Sequence, residues 1–157
     1  NLVLATKTAD CLPIFFADPA TKTIAIVHAG WKGVMAGIAI EAVRAFVERG
    51  SSARDLLVAI GPSIGPCHYV THAERRNEML RNTPFICAED FPGDRIDLRA
   101  IVARQLVSTG VLAPNVDVSA PCTACYPDRF ASYFLSRDRS VGMLSAMIAK
   151  EEKTAVR

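Results

Sequence analysis

IFFADPATKTIAIVHAGWKG, residues 14–33, is the stretch that decides the fold. Ile14 to Ala17 and Thr23 to His28 are short, apolar and rich in aromatic or β-branched residues, with Asp18-Pro19 as the turn between them. That is the pattern of two strands folding back on one another. The second strand delivers His28 to its C-terminal end, where Gly30 and Gly33 interrupt the pattern. Beyond them Val34, Ile38, Ala42 and Ala45 recur at helical spacing up to Arg49, and Gly50 stands where a left-handed C-cap is wanted.

Working outward, Leu2 to Thr6 reads as a strand, and Leu56 to Ile60 as a buried strand running into Gly61-Pro62-Ser63-Ile64-Gly65-Pro66. Those glycines and prolines forbid both helix and ladder, so a rigid loop is expected. Thr71 with Glu74 predicts a capping box ahead of a polar helix to about Asn82. Asp97 can N-cap an amphipathic helix carrying Leu98, Ile101, Val102 and Leu106 up to Gly110. Val116 to Ser119 and Val141 to Ile148 read as strands. Strands thus return in the last third without βαβ alternation, which favours an α+β fold over a doubly wound sheet. No composition shift, linker or repeat divides the sequence, so residues 1–157 are read as a single domain. Asn1 is not Met and the first strand has no lead-in, from which we expect the N-terminal part of that domain to be missing.

At 50% hydrophobic and 22% charged residues, the 157-residue chain can bury a real core, and disordered or collagen-like classes are excluded. A net charge of +2 nominates no nucleic acid and no anionic membrane as partner. No apolar run approaches the roughly 20 residues that span a bilayer. Five cysteines form an odd set without a secretory signal, so a reducing cytoplasm is the expected compartment. The oligomeric state has no signature here.

The most informative constellation is Thr8-Ala9-Asp10-Cys11 followed by His28-Ala29-Gly30-Trp31-Lys32-Gly33. Cys11 precedes one expected strand and His28 ends the next, so antiparallel pairing would bring a thiol and an imidazole together. Such a pair suits a zinc site or a Cys/His nucleophile dyad. A small core cysteine and a strand-end histidine explain the same two residues. Gly30 and Gly33 flank Trp31 and the cationic Lys32 at a strand-to-helix junction, where free amides favour an anion the size of phosphate; a tight turn accounts for them equally. Cys122 and Cys125 form a CxxC with no second CxxC, and we expect it to be incidental. His68 and His72 are expected on the surface, and Asp94 and Asp97, beside Arg95 and Arg99, as a helix cap and solvated charges.

Taken together, Thr-Ala-Asp-Cys-Leu-Pro at 8–13, His-Ala-Gly-Trp-Lys-Gly at 28–33, Gly-Pro-Ser-Ile-Gly at 61–65, and Cys122-Thr123 ahead of Phe130 and Ser132-Tyr133 resemble the successive signatures of the laccase-domain family. That family is also called the polyphenol oxidase or purine nucleoside phosphorylase family and includes the bacterial peptidoglycan editing factor. The chain departs from the family pattern at Lys32, where an Arg is usual, at Val70, where a Glu is common, and after Tyr133, where Phe134-Leu135 replaces Arg-Arg. Lys32 keeps the charge but loses the bidentate fork for phosphate.

The resemblance implies a β-sandwich-like core flanked by helices, similar to a bacterial toxin deamidase. It implies a metal, usually zinc with copper as the alternative, on Cys11 and His28, and a third histidine ligand in a Gln-Val-His stretch upstream of the first motif. The implied activity is phosphorolysis of adenosine, inosine or guanosine, with inorganic phosphate as co-substrate. Adenosine deamination is a further implied activity. Asp10 would be an orienting carboxylate or proton acceptor, and Gly30, Lys32 and Gly33 the substrate contact. The competing expectations are a copper-dependent phenol oxidase, a peptidoglycan-editing hydrolase and a degenerate, non-catalytic domain. Three histidines cannot supply a multicopper cluster.

Overall fold

The structure, a computed structural model, describes residues 2–83, 85–138 and 144–150. Six strands are present among them: β1 (Leu2–Thr8), β2 (Leu12–Asp18), β3 (Thr23–Ala29), β4 (Leu57–Ile60), β5 (Val116–Asp117) and β6 (Leu144–Lys150). Five helices accompany them: α1 (Trp31–Met35), α2 (Ile38–Val47), α3 (Ala73–Asn82), α4 (Leu98–Ser108) and α5 (Tyr133–Ser136). A four-stranded sheet has the order β3-β2-β4-β5, and β1 and β6 form a separate two-stranded ribbon. β2 runs antiparallel to both its neighbours, whereas β4 and β5 are parallel. The fold is therefore mixed α+β with helices flanking the sheet, as expected.

β2 is the spine of the core because its pattern suits a strand covered on one face. Leu12, Ile14 and Phe16 alternate along it and are fully buried. Against that face pack Ala39, Val43 and Phe46 of α2 and Ile101, Val102 and Leu106 of α4. The Phe16 and Phe46 rings meet with centroids 6.0 Å apart. Asp18 closes the β2–β3 turn by accepting from the backbone N–H of Ala20 (2.8 Å) and the Thr21 hydroxyl (2.8 Å), an Asx-type turn that the Asp-Pro pair announces.

Three local expectations are corrected. The single helix read over residues 34–49 is two, because Gly37 takes the left-handed conformation (φ 71°) between α1 and α2. The apolar spacing runs through the break and so conceals it. The Thr71/Glu74 capping box does not form: α3 starts after His72, and the Thr71 hydroxyl is buried without a partner among the described residues. Thr71 is drawn inward by its backbone, whose N–H donates to the Asp94 carbonyl (2.7 Å) beside a Val70–Arg95 bridge. The strand expected over 116–119 stops at Asp117. The Asp97 cap is as expected, its carboxylate accepting from the N–H groups of Arg99 and Ala100. Of the strand read over 141–148, residues 141–143 lie outside the described residues.

Candidate functional site: an aromatic cleft and a cysteine cluster

The β2–β3 register sets the geometry of the first motifs. Leu12 pairs with Ala29 and Pro13 with His28, and Leu12 and Ala29 both face the core. By alternation Cys11 lies on the same side as His28, one diagonal step away. Gly30 agrees with this, since a Cβ built there would stand 3.1 Å from Cys11 Sγ. A side chain at position 30 would therefore crowd the thiol. Burial, with the Asp10 carboxylate adding to it, pushes the Cys11 thiol up, so at neutral pH a cation would have to displace its proton.

Asp10 holds an uncommon backbone conformation for a non-glycine residue (φ 83°) and is buried. Its conformation is over-determined by three segments. Thr123 Oγ1 donates to Asp10 Oδ1 (2.6 Å), the Phe134 N–H donates to Oδ2 (2.6 Å), and the Ile64 N–H donates to the Asp10 carbonyl (2.9 Å).

These contacts build a cleft of about 290 Å³. Asp10, Cys11 and Gly30 line it together with the rings of Trp31, Tyr69, Tyr133 and Phe134, and Arg75 and Arg137 also face it. The Arg75 guanidinium stacks 4.7 Å from the centre of the Trp31 ring, and the Tyr69 and Phe134 rings meet edge to face at 6.5 Å. Burial pushes the Tyr69 hydroxyl up, against the opposing pull of Arg75. His28, Lys32 and Gly33 are not among the lining residues. His28 and Lys32 are exposed, and a Cβ at Gly33 would make only ordinary contact with Ile38 (3.6 Å). The cationic groups of this cleft are thus arginines from α3 and from just after α5. Sequence reading missed Arg75 because α3 presents itself only as a polar outer helix.

A second assembly corrects the reading of Cys122 and Cys125 as incidental and of His68 as a surface residue. The ligand atoms of Cys67, His68, Cys122 and Cys125 all lie within 4.8 Å of one another. Cys67 Sγ is 3.5 Å from Cys125 Sγ, and His68 Nδ1 is 3.4, 3.6 and 3.8 Å from the sulfurs of Cys67, Cys125 and Cys122. Burial and the other two thiols push Cys67 up to about 12, while for Cys122 the opposing effect of burial is overcome by the Gly65 N–H and its neighbours, bringing it down to about 7. This set of three cysteines and one histidine could hold a metal ion. His72 stays exposed ahead of α3.

The family model described as multi-copper polyphenol oxidoreductase laccase matches residues 1–151. The chain belongs to the laccase-domain family. Human purine nucleoside phosphorylase LACC1 is 38% identical over 141 residues, covering 85% of this laccase domain and 32% of that protein. Purine nucleoside phosphorylase YlmD of Geobacillus stearothermophilus is 38% identical over 161 residues, covering 98% of this domain and 58% of that protein. In structure the laccase domain is similar to YfiH of Bacillus licheniformis, with a TM-score of 0.86 at 33% identity, and to Geobacillus YlmD, with 0.84 at 34%. Each of those two matches covers 96% of this chain and 58% of the other. The chain thus spans between about a third and three fifths of the length of these relatives. Among its described residues no helix is long and apolar enough to cross a membrane.

The histidines of the laccase domain are too few for a multicopper centre. Of the three histidines in the chain, His68 belongs to the cysteine cluster and His72 lies at the start of α3. A thiolate and an imidazole suit zinc or a single copper.

Proposed function

We propose that the aromatic cleft binds a purine nucleoside and inorganic phosphate, and that the complete protein catalyses phosphorolysis of adenosine, inosine or guanosine. The observation that carries this reading is the Arg75 guanidinium stacked on Trp31 in a cleft that Cys11 also lines. Flat aromatic walls suit a purine ring, and a guanidinium offers the planar fork that matches a phosphate. The names of the relatives support the same substrate class.

In such a reaction a phosphate oxygen forms a bond to C1′ of the ribose while the C1′–N9 bond breaks. The electron pair leaves with the purine, which takes up a proton, and ribose 1-phosphate is the second product. Arg75, with Arg137 also facing the cleft, would hold the anion against C1′ and offset its charge, which converts a bimolecular encounter into a positioned one. Trp31, Tyr69 and Phe134 would hold the base and exclude water, favouring phosphate over hydrolysis. Asp10 would act as a positioning residue, since both its carboxylate oxygens are engaged by Thr123 and Phe134. Gly30 would meet the substrate inside the cleft, and Lys32 and Gly33 would act from beside it, in the helix that Trp31 opens. Cys11 and His28 are the residues that would hold a zinc ion, which supplies Lewis-acid polarisation when bound.

The test is incubation of the full-length protein with each nucleoside, with and without phosphate. Free base and ribose 1-phosphate appearing only with phosphate are expected. Base release that is independent of phosphate, with no ribose 1-phosphate formed, would overturn phosphorolysis as the reaction.

A further inference from the structure

We infer that Cys67, His68, Cys122 and Cys125 form a structural zinc site, separate from Cys11 and His28, that fastens the loop after β4 to the 122–125 turn. Four independent observations carry this inference.

The first is shape. A tetrahedral zinc with Zn–S bonds of about 2.3 Å spaces its ligand atoms about 3.8 Å apart, slightly less where a nitrogen replaces a sulfur. Four of the six pairs here stand 3.4 to 3.8 Å apart, and all six lie within 4.8 Å. A disulfide needs an S–S separation near 2.05 Å, whereas Cys67 and Cys125 are 3.5 Å apart. Thiols are weak hydrogen-bond donors and acceptors, so mutual hydrogen bonding is a poor reason for three of them to share one small volume with an imidazole.

The second is the surrounding of the sulfurs. The Gly65 N–H donates to Cys122 Sγ at 3.2 Å, the kind of outer contact that orients a ligating thiolate. A Cβ on Gly65 would stand 3.3 Å from Cys122 Cβ and 3.5 Å from Cys67 Sγ. The backbone at Gly65 therefore runs close against the cluster, and a side chain there would crowd Cys122.

The third is charge. Three thiolates, one neutral imidazole and Zn²⁺ sum to a single negative charge. Arg99 is half-buried and lies within electrostatic reach of Cys67, Cys122 and Cys125. Its guanidinium is held by the carbonyls of Ser63, Ala120 and Pro121. Arg95 donates to the carbonyl of Cys67 itself at 2.7 Å.

The fourth is placement. Thr123, inside the cluster's turn, donates to Asp10, and Asp10, Ile64 and Tyr69 all line the cleft, the last two bracketing Cys67 and His68 in sequence. The metal would brace the cleft wall and touch no substrate.

The experiment measures zinc in the full-length protein and in variants, with cobalt substitution as the spectroscopic probe. The Cys11→Ser/His28→Ala double variant should retain one zinc per chain after dialysis. Its cobalt form should show the thiolate-to-metal charge-transfer and tetrahedral ligand-field bands of a site with three sulfur ligands and one nitrogen. Cys67→Ser or Cys125→Ser in that background should lose the zinc and weaken the cobalt affinity by at least about tenfold. His68→Cys should keep zinc while its cobalt spectrum moves to that of an all-sulfur site, which separates ligation from a general loss of folding. A folded double variant without zinc, a cobalt spectrum unmoved by His68→Cys, or a Cys67–Cys125 disulfide in freshly purified protein would each overturn the site.

Discussion

The hydroxyl of Thr123 donates to the carboxylate of Asp10 at 2.6 Å across 113 residues of chain. The same carboxylate takes the Phe134 N–H, so one side chain joins the first motif to the last. Hydrogen bonds to a charged group contribute about 1.5–3 kcal/mol, and losing one leaves its buried partner unsatisfied. Asp10→Ala should therefore destabilise the domain by about 3 kcal/mol. Because Asp10 sits at φ 83°, where an L side chain costs roughly 1 kcal/mol or more, Asp10→Gly should cost measurably less than Asp10→Ala. Urea unfolding of both variants checks the order.

Gly30→Ala and Gly61→Ala should fail in opposite ways. At position 30 the added methyl meets only Cys11 Sγ, at 3.1 Å. That thiol must give way, so metal affinity at Cys11 should fall at least about tenfold while the thermal midpoint barely moves. At position 61 it meets Pro13 Cγ at 2.9 Å, in a ring that cannot swing aside, and Phe15 Cε2 at 3.1 Å. Overpacking of this kind costs about 1–3 kcal/mol, so Gly61→Ala should lower stability. Zinc titration and thermal melts of the two variants separate the cases.

Arg75 should matter for turnover and little for folding. Arg75→Ala removes the stack on Trp31 and the proposed anion contact, and a charged hydrogen bond of about 2 kcal/mol corresponds to roughly a 30-fold loss in kcat/KM. Arg75→Lys keeps the charge but not the planar fork, so it should recover only part of the loss. The loss should fall mainly on the KM for phosphate, read from initial rates at varied phosphate.

Asp18 predicts an acid limb in stability. Its hydrogen bonds with Ser51, Thr21 and Ala20 hold its carboxyl below the ordinary value. A depressed folded-state pKa means the stabilisation is fully present above the unfolded value of about 3.9 and is lost as pH falls through the folded one. Asp18→Asn should therefore be less stable than the parent at neutral pH, and the difference should shrink below about pH 4. Melts recorded from neutral pH into that range measure it.

The parts legible in the sequence are those whose cause is local. The β2–β3 hairpin follows from two apolar runs and an Asp-Pro turn, and α4 from its Asp97 cap and four buried apolar positions. The Gly37 break is hidden because Val34, Ala39 and Val43 remain buried on both sides of it. Thr71 has the look of a cap, but the pull on it comes from Asp94, which no spacing rule connects to it. At the candidate site, Cys11 and Gly30 are legible from motifs that lie close in sequence. The cysteine cluster is not, because Cys67 and Cys122 are brought together by a parallel bridge between Ser63 and Cys122. A signal does exist: a Cys-His dipeptide and a CxxC together offer four soft ligands, although neither half is informative alone.

The β1–β6 ribbon pairs Leu2 with Lys150 in antiparallel register, through to Thr8 with Leu144. Leu2 and Lys150 therefore stand at the same end of the ribbon, a few ångströms apart. Among the described residues neither strand has another ladder partner, so what frays one frays the other. The backbone amides of residues 2–8 and 144–150 should exchange their hydrogens together, as one cooperative unit at the margin of the four-stranded sheet.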